Sequence, residues 1–260
     1  GISFDKIYIV SSQDTDTAPF DTGAYGSRQT YVSGKAVRKC GEEFKKKLLD
    51  YASYMLDRPM EELDVDHDQI VEKKTGKDLL PVAQLAVTSF YSLDRSQHIT
   101  AEATSHCKDN SFASGVCFAE VEVDMPVGKV KVLNILNVHD SGILINPALA
   151  EAQVHGGMSM GLGYGLSEEL LIDDKGRPLN ANLLDYKIPT AMDTPDLQVE
   201  FVQLQDPTGP YGNKALGEPP TIPVAPALRN ALLHATGVAM DTIPMTPQRL
   251  IEAFLEKGLI

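Results

Sequence analysis

The sequence predicts an α+β fold: mixed sheets packed with helices, arranged as two subdomains. Three observations predict it. From Gln29 onward, Val32, Ala36, Val37, Cys40, Phe44, Leu48 and Tyr51 recur at helical spacing. Val116 to Asp124 alternates apolar and charged residues, turns at Met125-Pro126-Val127-Gly128 and returns as Lys129 to His139, a pair of half-buried strands. Strands and helices otherwise follow one another irregularly, without the strict alternation of a doubly wound sheet.

Each element has a local reason. Lys6-Ile7-Tyr8-Ile9-Val10 reads as a strand, because β-branched and aromatic residues dominate it. Leu63-Asp64-Val65 and Gln69-Ile70-Val71 read as a short hairpin, and Pro81 to Phe90 as a short helix with proline at its start. Pro147 to Leu162 is a helix with Asn146 as its N-cap. Leu166 to Ile172 and Leu197 to Leu204 read as strands, with Asp173-Asp174-Lys175-Gly176 as a turn. Pro226 to Ala235 is a helix, and Thr246-Pro247 opens the last one, to Lys257. The natural division is 1–114 and 115–260. No repeat or disordered linker interrupts it.

Composition narrows the function. The formal net charge is −13, so nucleic acid and anionic membrane are unsuitable partners. No apolar run is long enough to span a bilayer. Three cysteines, Cys40, Cys107 and Cys117, form no Cys-x-x-Cys pair, which argues against a zinc or iron–sulfur site and fits a cytoplasmic setting. The chain offers no metal ligand set of its own.

Three segments carry candidate chemistry. Gly212-Asn213-Lys214-Ala215-Leu216-Gly217-Glu218-Pro219-Pro220 frames one carboxylate between a glycine and two prolines. Gly217 permits close backbone approach, and the prolines stiffen the loop beyond the carboxylate. Such a carboxylate suits a general base, although a solvated turn would look the same. Gly23-Ala24-Tyr25-Gly26-Ser27-Arg28-Gln29-Thr30 is a glycine-containing turn before a helix, suited to phosphate or to a plain N-cap at Ser27. Gln153 lies on the helix from Pro147, where a solvated position is the plain alternative. Gly157-Met158-Ser159-Met160-Gly161 matches the Gly-x-Ser-x-Gly hydrolase elbow, but helix, not strand, precedes its serine.

Taken in order, these segments resemble the molybdenum hydroxylases, the xanthine dehydrogenase and aldehyde oxidase family. The Lys214-to-Pro220 stretch is similar to the family's active-site glutamate loop, and residues 23–30 to its pterin-binding turn. His139-Asp140-Ser141-Gly142 with Ile145-Asn146-Pro147, the run Gln153 to Glu169, and Tyr186-Lys187-Ile188-Pro189 match further shared elements. The resemblance implies half of a molybdopterin-binding lobe. It implies molybdopterin, as the cytosine dinucleotide, held by Tyr25, Gly26, Ser27, Arg28, Gln29, Thr30, Gln153 and Gly217. It implies Glu218 and Gln153 as catalytic residues in the hydroxylation of a carbon beside a ring nitrogen, with water as oxygen source. Nicotinate is the foremost substrate, with purines and aldehydes as alternatives. The upstream Gly-Gly-Phe-Gly loop of the family is not found here, so either a larger molybdenum-lobe partner or the rest of a longer chain would complete the site. An iron–sulfur subunit and an FAD subunit would carry electrons away. A subunit that binds cofactor and partners without doing chemistry is the reading from another class.

Overall fold

The computed structural model describes residues 1–12, 14–106 and 108–260. Cys107, counted above among the unpaired cysteines, lies outside the described residues. Cys40 and Cys117 are free thiols. No helix among the described residues is long and apolar enough to cross a membrane.

The chain forms two compact units. The first comprises Gly1–Gly23 and Val32–Cys107. It holds α1 (Gly34–Leu56), a three-stranded antiparallel sheet of β1 (Leu63–Asp66), β2 (Gln69–Glu72) and β3 (Asp78–Pro81), and α2 (Val82–Tyr91). Leu48 and Tyr51 of α1, on the stripe expected from the sequence, pack with Leu63, Ile70, Leu80 and Leu85 into one buried cluster. Between Gln29 and Ser33 the chain makes a wider π-type turn, so the α-helix starts later than its periodicity predicts.

The second unit comprises Ala24–Tyr31 and Lys108–Ile260. Here β4 (Ser114–Asp124) pairs antiparallel with β5 (Lys129–Asp140), and β5 pairs parallel with β6 (Leu197–Phe201). The parallel pairing requires a crossover, which contains α3 (Pro147–Leu166). With α4 (Val224–Thr236) and α5 (Pro247–Glu256), α3 covers the sheet. The core joins Ile135, Met158, Leu162, Leu228, Leu250 and Phe254. The Asn146 side chain accepts from the Leu149 amide at 3.1 Å, the expected cap of α3, worth about 1 kcal/mol.

Several expectations need correction. No strand forms at Lys6–Val10. Phe4–Lys6 is a single 3-10 turn, and residues 7–10 stay without a ladder partner; Ile9 and Val10 are 87% and 92% exposed. Strand propensity expresses itself only where a neighbouring strand or packed face receives it. Leu166–Ile172 is not a strand either. The amides of Ser167 and Glu168 turn back to the Gly163 carbonyl at 2.9 and 2.8 Å and close α3, leaving only an isolated bridge between Ile172 and Pro178. β6 stops at Phe201, short of Leu204, because the Leu204 amide donates to the Asp140 side chain at 3.3 Å. The short strand β3 was not foreseen; its four residues carry no alternation to read.

Candidate functional site

The turn at residues 25–28 is built from two left-handed residues in succession. Gly26 has φ 55° and Ser27 has φ 57°, and the Arg28 amide closes the turn on the Tyr25 carbonyl at 3.1 Å. Gly26 takes this conformation freely, but at Ser27 it costs about 1–2 kcal/mol. Two hydrogen bonds offset that cost. Ser27 Oγ accepts from the Glu218 amide at 2.8 Å and donates to Glu218 Oε2 at 2.5 Å. The serine hydroxyl thus grips the glutamate by backbone and side chain together. No side-chain cap bond forms at Ser33, which precedes α1, and Ser27 is not a helix cap.

Glu218 starts a tight turn of its own. The Thr221 amide donates to the Glu218 carbonyl at 3.0 Å, with Pro219 and Pro220 between them. Fixed proline φ values make this turn stiff. Gly217 lies against Ser27: a Cβ there would stand 3.0 Å from Ser27 Oγ. The absence of a side chain at 217 lets the two loops meet.

Helix α3 delivers Gln153 to the same place. Gly157, Gly161 and Gly165 follow Gln153 at four-residue intervals and form one ridge of the helix. Added Cβ atoms there would meet Pro220 at 2.9 Å, Val224 at 2.5 Å and Leu228 at 3.2 Å. The segment 220–228 therefore lies directly on the glycine ridge. Ser159 sits in the middle of this helix, with no strand-to-helix turn, so the hydrolase elbow is not formed.

The result is a cleft of about 370 Å³. Ala24, Tyr25, Ser27, Arg28, Gln29, Thr30, Gln153, Leu216, Gly217 and Glu218 line it, all within the second unit. Of the expected site residues, only Gly26 does not line it; it is one of the turn's two left-handed residues. Arg28 lies 5.3 Å from the Tyr25 ring centroid, in cation–π range. The donor set fits a hydrogen-bonding polyanion: one guanidinium, two carboxamides and hydroxyl groups. A larger groove of about 770 Å³ runs beside Lys129–Leu133 and residues 187–195. It contains none of the expected residues and follows the part of β5 that β6 leaves unpaired.

Other shared segments serve as braces and do not line the cleft. Tyr186 donates to Glu168 Oε2 at 2.9 Å, and Arg249 pairs with Glu169 at 2.6 Å, tying the end of α3 to its neighbours. Asp140 pairs with Lys214 at 2.5 Å, and the Lys214 amide donates to the Ser141 carbonyl at 2.7 Å. Burial alone would raise the Asp140 carboxyl. Lys214 and the amides of Gly142 and Leu204 outweigh burial and leave it below the usual carboxylate range. His139, 1% exposed, is pushed below the usual imidazole range by burial, against the opposing charge of Asp140.

Sequence reasoning missed the residues that hold the glutamate loop. The Asp140–Lys214 pair spans 74 positions and has no local signal. Asn137 does have one. It is a polar residue on the inward phase of β5, fully buried, and its amide donates to the Pro220 carbonyl at 3.0 Å.

Comparison with known proteins shows the family and the fold. The family model of the molybdopterin cofactor-binding domain matches residues 1–195. The xanthine dehydrogenase molybdenum-binding subunit of Escherichia coli O157:H7 is 45% identical over 262 residues, 100% of this chain and 35% of that protein. Reconstituted CO dehydrogenase from Oligotropha carboxidovorans superposes with a TM-score of 0.84 at 28% identity, covering 94% of this chain and 31% of that one. Quinoline 2-oxidoreductase from Pseudomonas putida 86 gives 0.85 at 26% identity, covering 93% and 32%. The chain spans about a third of the length of these relatives.

Proposed function

Because the chain belongs to the molybdopterin cofactor-binding domain family, we propose that it is the catalytic-glutamate portion of a molybdenum hydroxylase. Its reaction replaces a ring C–H by C–OH with water as oxygen source, releasing two protons and two electrons. The observation that carries this reading is the shared cleft of Glu218, Ser27 and Gln153.

When bound, the cofactor supplies a two-electron sink and a centre at which water is activated. The chain's own residues would hold it and manage the proton. Arg28, Gln29 and Thr30 offer charge and donors to the pterin dinucleotide, taken here as the cytosine form. Gln153 offers a carboxamide from α3. Glu218 is the base. Its Oε2 already accepts from Ser27, so Oε1 is the oxygen left to receive a proton. The stiff Pro219-Pro220 turn keeps that oxygen in place.

The substrate class is an electron-poor nitrogen heterocycle oxidised beside a ring nitrogen. A purine is preferred because the 45%-identical relative is a xanthine dehydrogenase subunit. Nicotinate is the second reading, supported by the likeness to a quinoline oxidoreductase. The remainder of the molybdenum subunit, an iron–sulfur subunit and an FAD subunit complete the enzyme in the cytoplasm. The test is metal analysis of the purified assembly, then turnover of xanthine, hypoxanthine, nicotinate and an aldehyde. Stoichiometric molybdenum with fastest turnover of a heterocycle is expected. Absence of molybdenum would sink the cofactor assignment, and turnover of the aldehyde alone would sink the substrate class.

A further inference from the structure

We propose that Asn137 is a positioning residue for the catalytic glutamate, acting through the Pro219-Pro220 turn. The proposal rests on Glu218 being the base. Asn137 lies on β5, the central strand of its sheet, and is 0% exposed. A carbonyl can only accept, so the 3.0 Å contact with Pro220 requires the Asn137 amide nitrogen to face that oxygen. Pro220 is two residues past Glu218 and inside the turn closed by Thr221. Neither proline has an N–H, so this turn has few ways to attach itself to the protein. Its attachments are distinct. Ser27 holds Glu218 from the solvent side, where the glutamate is exposed. Gly157 of α3 lets Pro220 come close without bonding to it. Asn137 alone ties the turn's carbonyl to the sheet by a directed bond, among the bonds described for Pro220.

The consequence is a division of labour. Ser27 sets the carboxylate's rotation, while Asn137 sets the height and tilt of the whole turn over the sheet. Without the bond, Pro220 keeps a buried, unpaired carbonyl, and the turn relieves that by lifting toward water. A displacement of about 1 Å at a base lowers the rate roughly 100-fold. The effect falls on the proton-transfer geometry, not on cofactor retention, because Asn137 does not line the cleft.

The experiment compares Asn137→Leu, Asn137→Asp, Glu218→Gln and the Asn137→Leu/Glu218→Gln double variant in the assembled enzyme. Leucine matches the volume and removes the donor; aspartate keeps the shape and presents an oxygen to the Pro220 carbonyl. Each single Asn137 variant is expected to lower kcat roughly 10- to 100-fold, with KM and molybdenum content unchanged. The double variant is expected to be no slower than Glu218→Gln, since the two act on one event. Amide exchange at Thr221 should quicken in Asn137→Leu whether or not the enzyme is loaded. Wild-type turnover, unchanged exchange, or losses that multiply in the double variant would overturn the proposal. If Asn137→Leu does not fold, Asn137→Asp carries the same readings. Glu218→Gln with full turnover would instead overturn the base assignment and leave the Thr221 exchange result to stand separately.

Discussion

At Ser27 a costly backbone conformation and a pair of short hydrogen bonds occupy one residue. Ser27→Gly separates them. Glycine accepts φ near 57° without strain but gives up both hydrogen bonds that offset it, so stability should change by less than about 1 kcal/mol. Glu218 would lose its hydroxyl partner, and a hydrogen bond to a charged group is worth about 1.5–3 kcal/mol, discounted here because Glu218 is exposed. Turnover should therefore fall by about tenfold. Thermal melting beside steady-state rates checks this; a more stable enzyme with unchanged rate would remove Ser27 from the account. Asp140 carries a pH dependence. Its carboxyl sits below its unfolded value near 3.9, so its contribution is complete above that pH and disappears as pH falls below it. Asp140→Asn leaves the partly buried Lys214 without its partner and should cost about 2–3 kcal/mol at pH 7. Denaturant titrations should show the gap between wild type and variant shrinking below about pH 4. A gap that stayed constant down to pH 3 would mean the pair is not responsible. These residues also mark the limit of sequence reading. The Gly-Glu-Pro-Pro frame announces a placed carboxylate, but nothing in residues 212–220 reveals that Ser27, 191 positions away, holds it.

Among elements, α3 does the placing. Its glycines at 157, 161 and 165 bring the 220–228 segment onto the helix, and the same ridge one turn earlier carries Gln153. The sequence shows this helix and its Asn146 cap. It does not show what packs there, since a four-residue period names a face and not its neighbour. Gly161→Val tests the ridge. A Cβ at that position would stand 2.5 Å from Val224, so α4 must shift. Destabilisation of about 1–3 kcal/mol is expected from overpacking, with turnover reduced beyond the loss of folded protein. Wild-type melting would show that the helices have room to spare. Strand reading failed where partners decide. Lys6–Val10 has strand composition but no ladder, and the Leu204 amide is taken by the Asp140 side chain.

Over the whole molecule, the cleft has one wall of donors and a carboxylate, and large apolar side chains lie exposed elsewhere. Leu183, Leu184 and Met192 are 82%, 80% and 93% exposed, and Met192 lines the groove along the open margin of β5. A chain spanning a third of its relatives' length presents such surface where the rest of the subunit is expected to pack. Co-expression with that remainder should bury more than about 2,000 Å² and raise cofactor retention. The expectation fails if the isolated chain holds molybdopterin at full occupancy as a stable monomer.

The account's central claim is that Glu218 is the base, and Glu218→Gln tests it most directly. Glutamine keeps the side chain's size, its turn and an oxygen for Ser27, and removes the proton acceptor. Turnover per molybdenum in the assembled enzyme should fall roughly 100- to 10,000-fold, with molybdenum content and melting unchanged. Retention of more than about a tenth of wild-type turnover would contradict the claim, because a general base contributes far more than that.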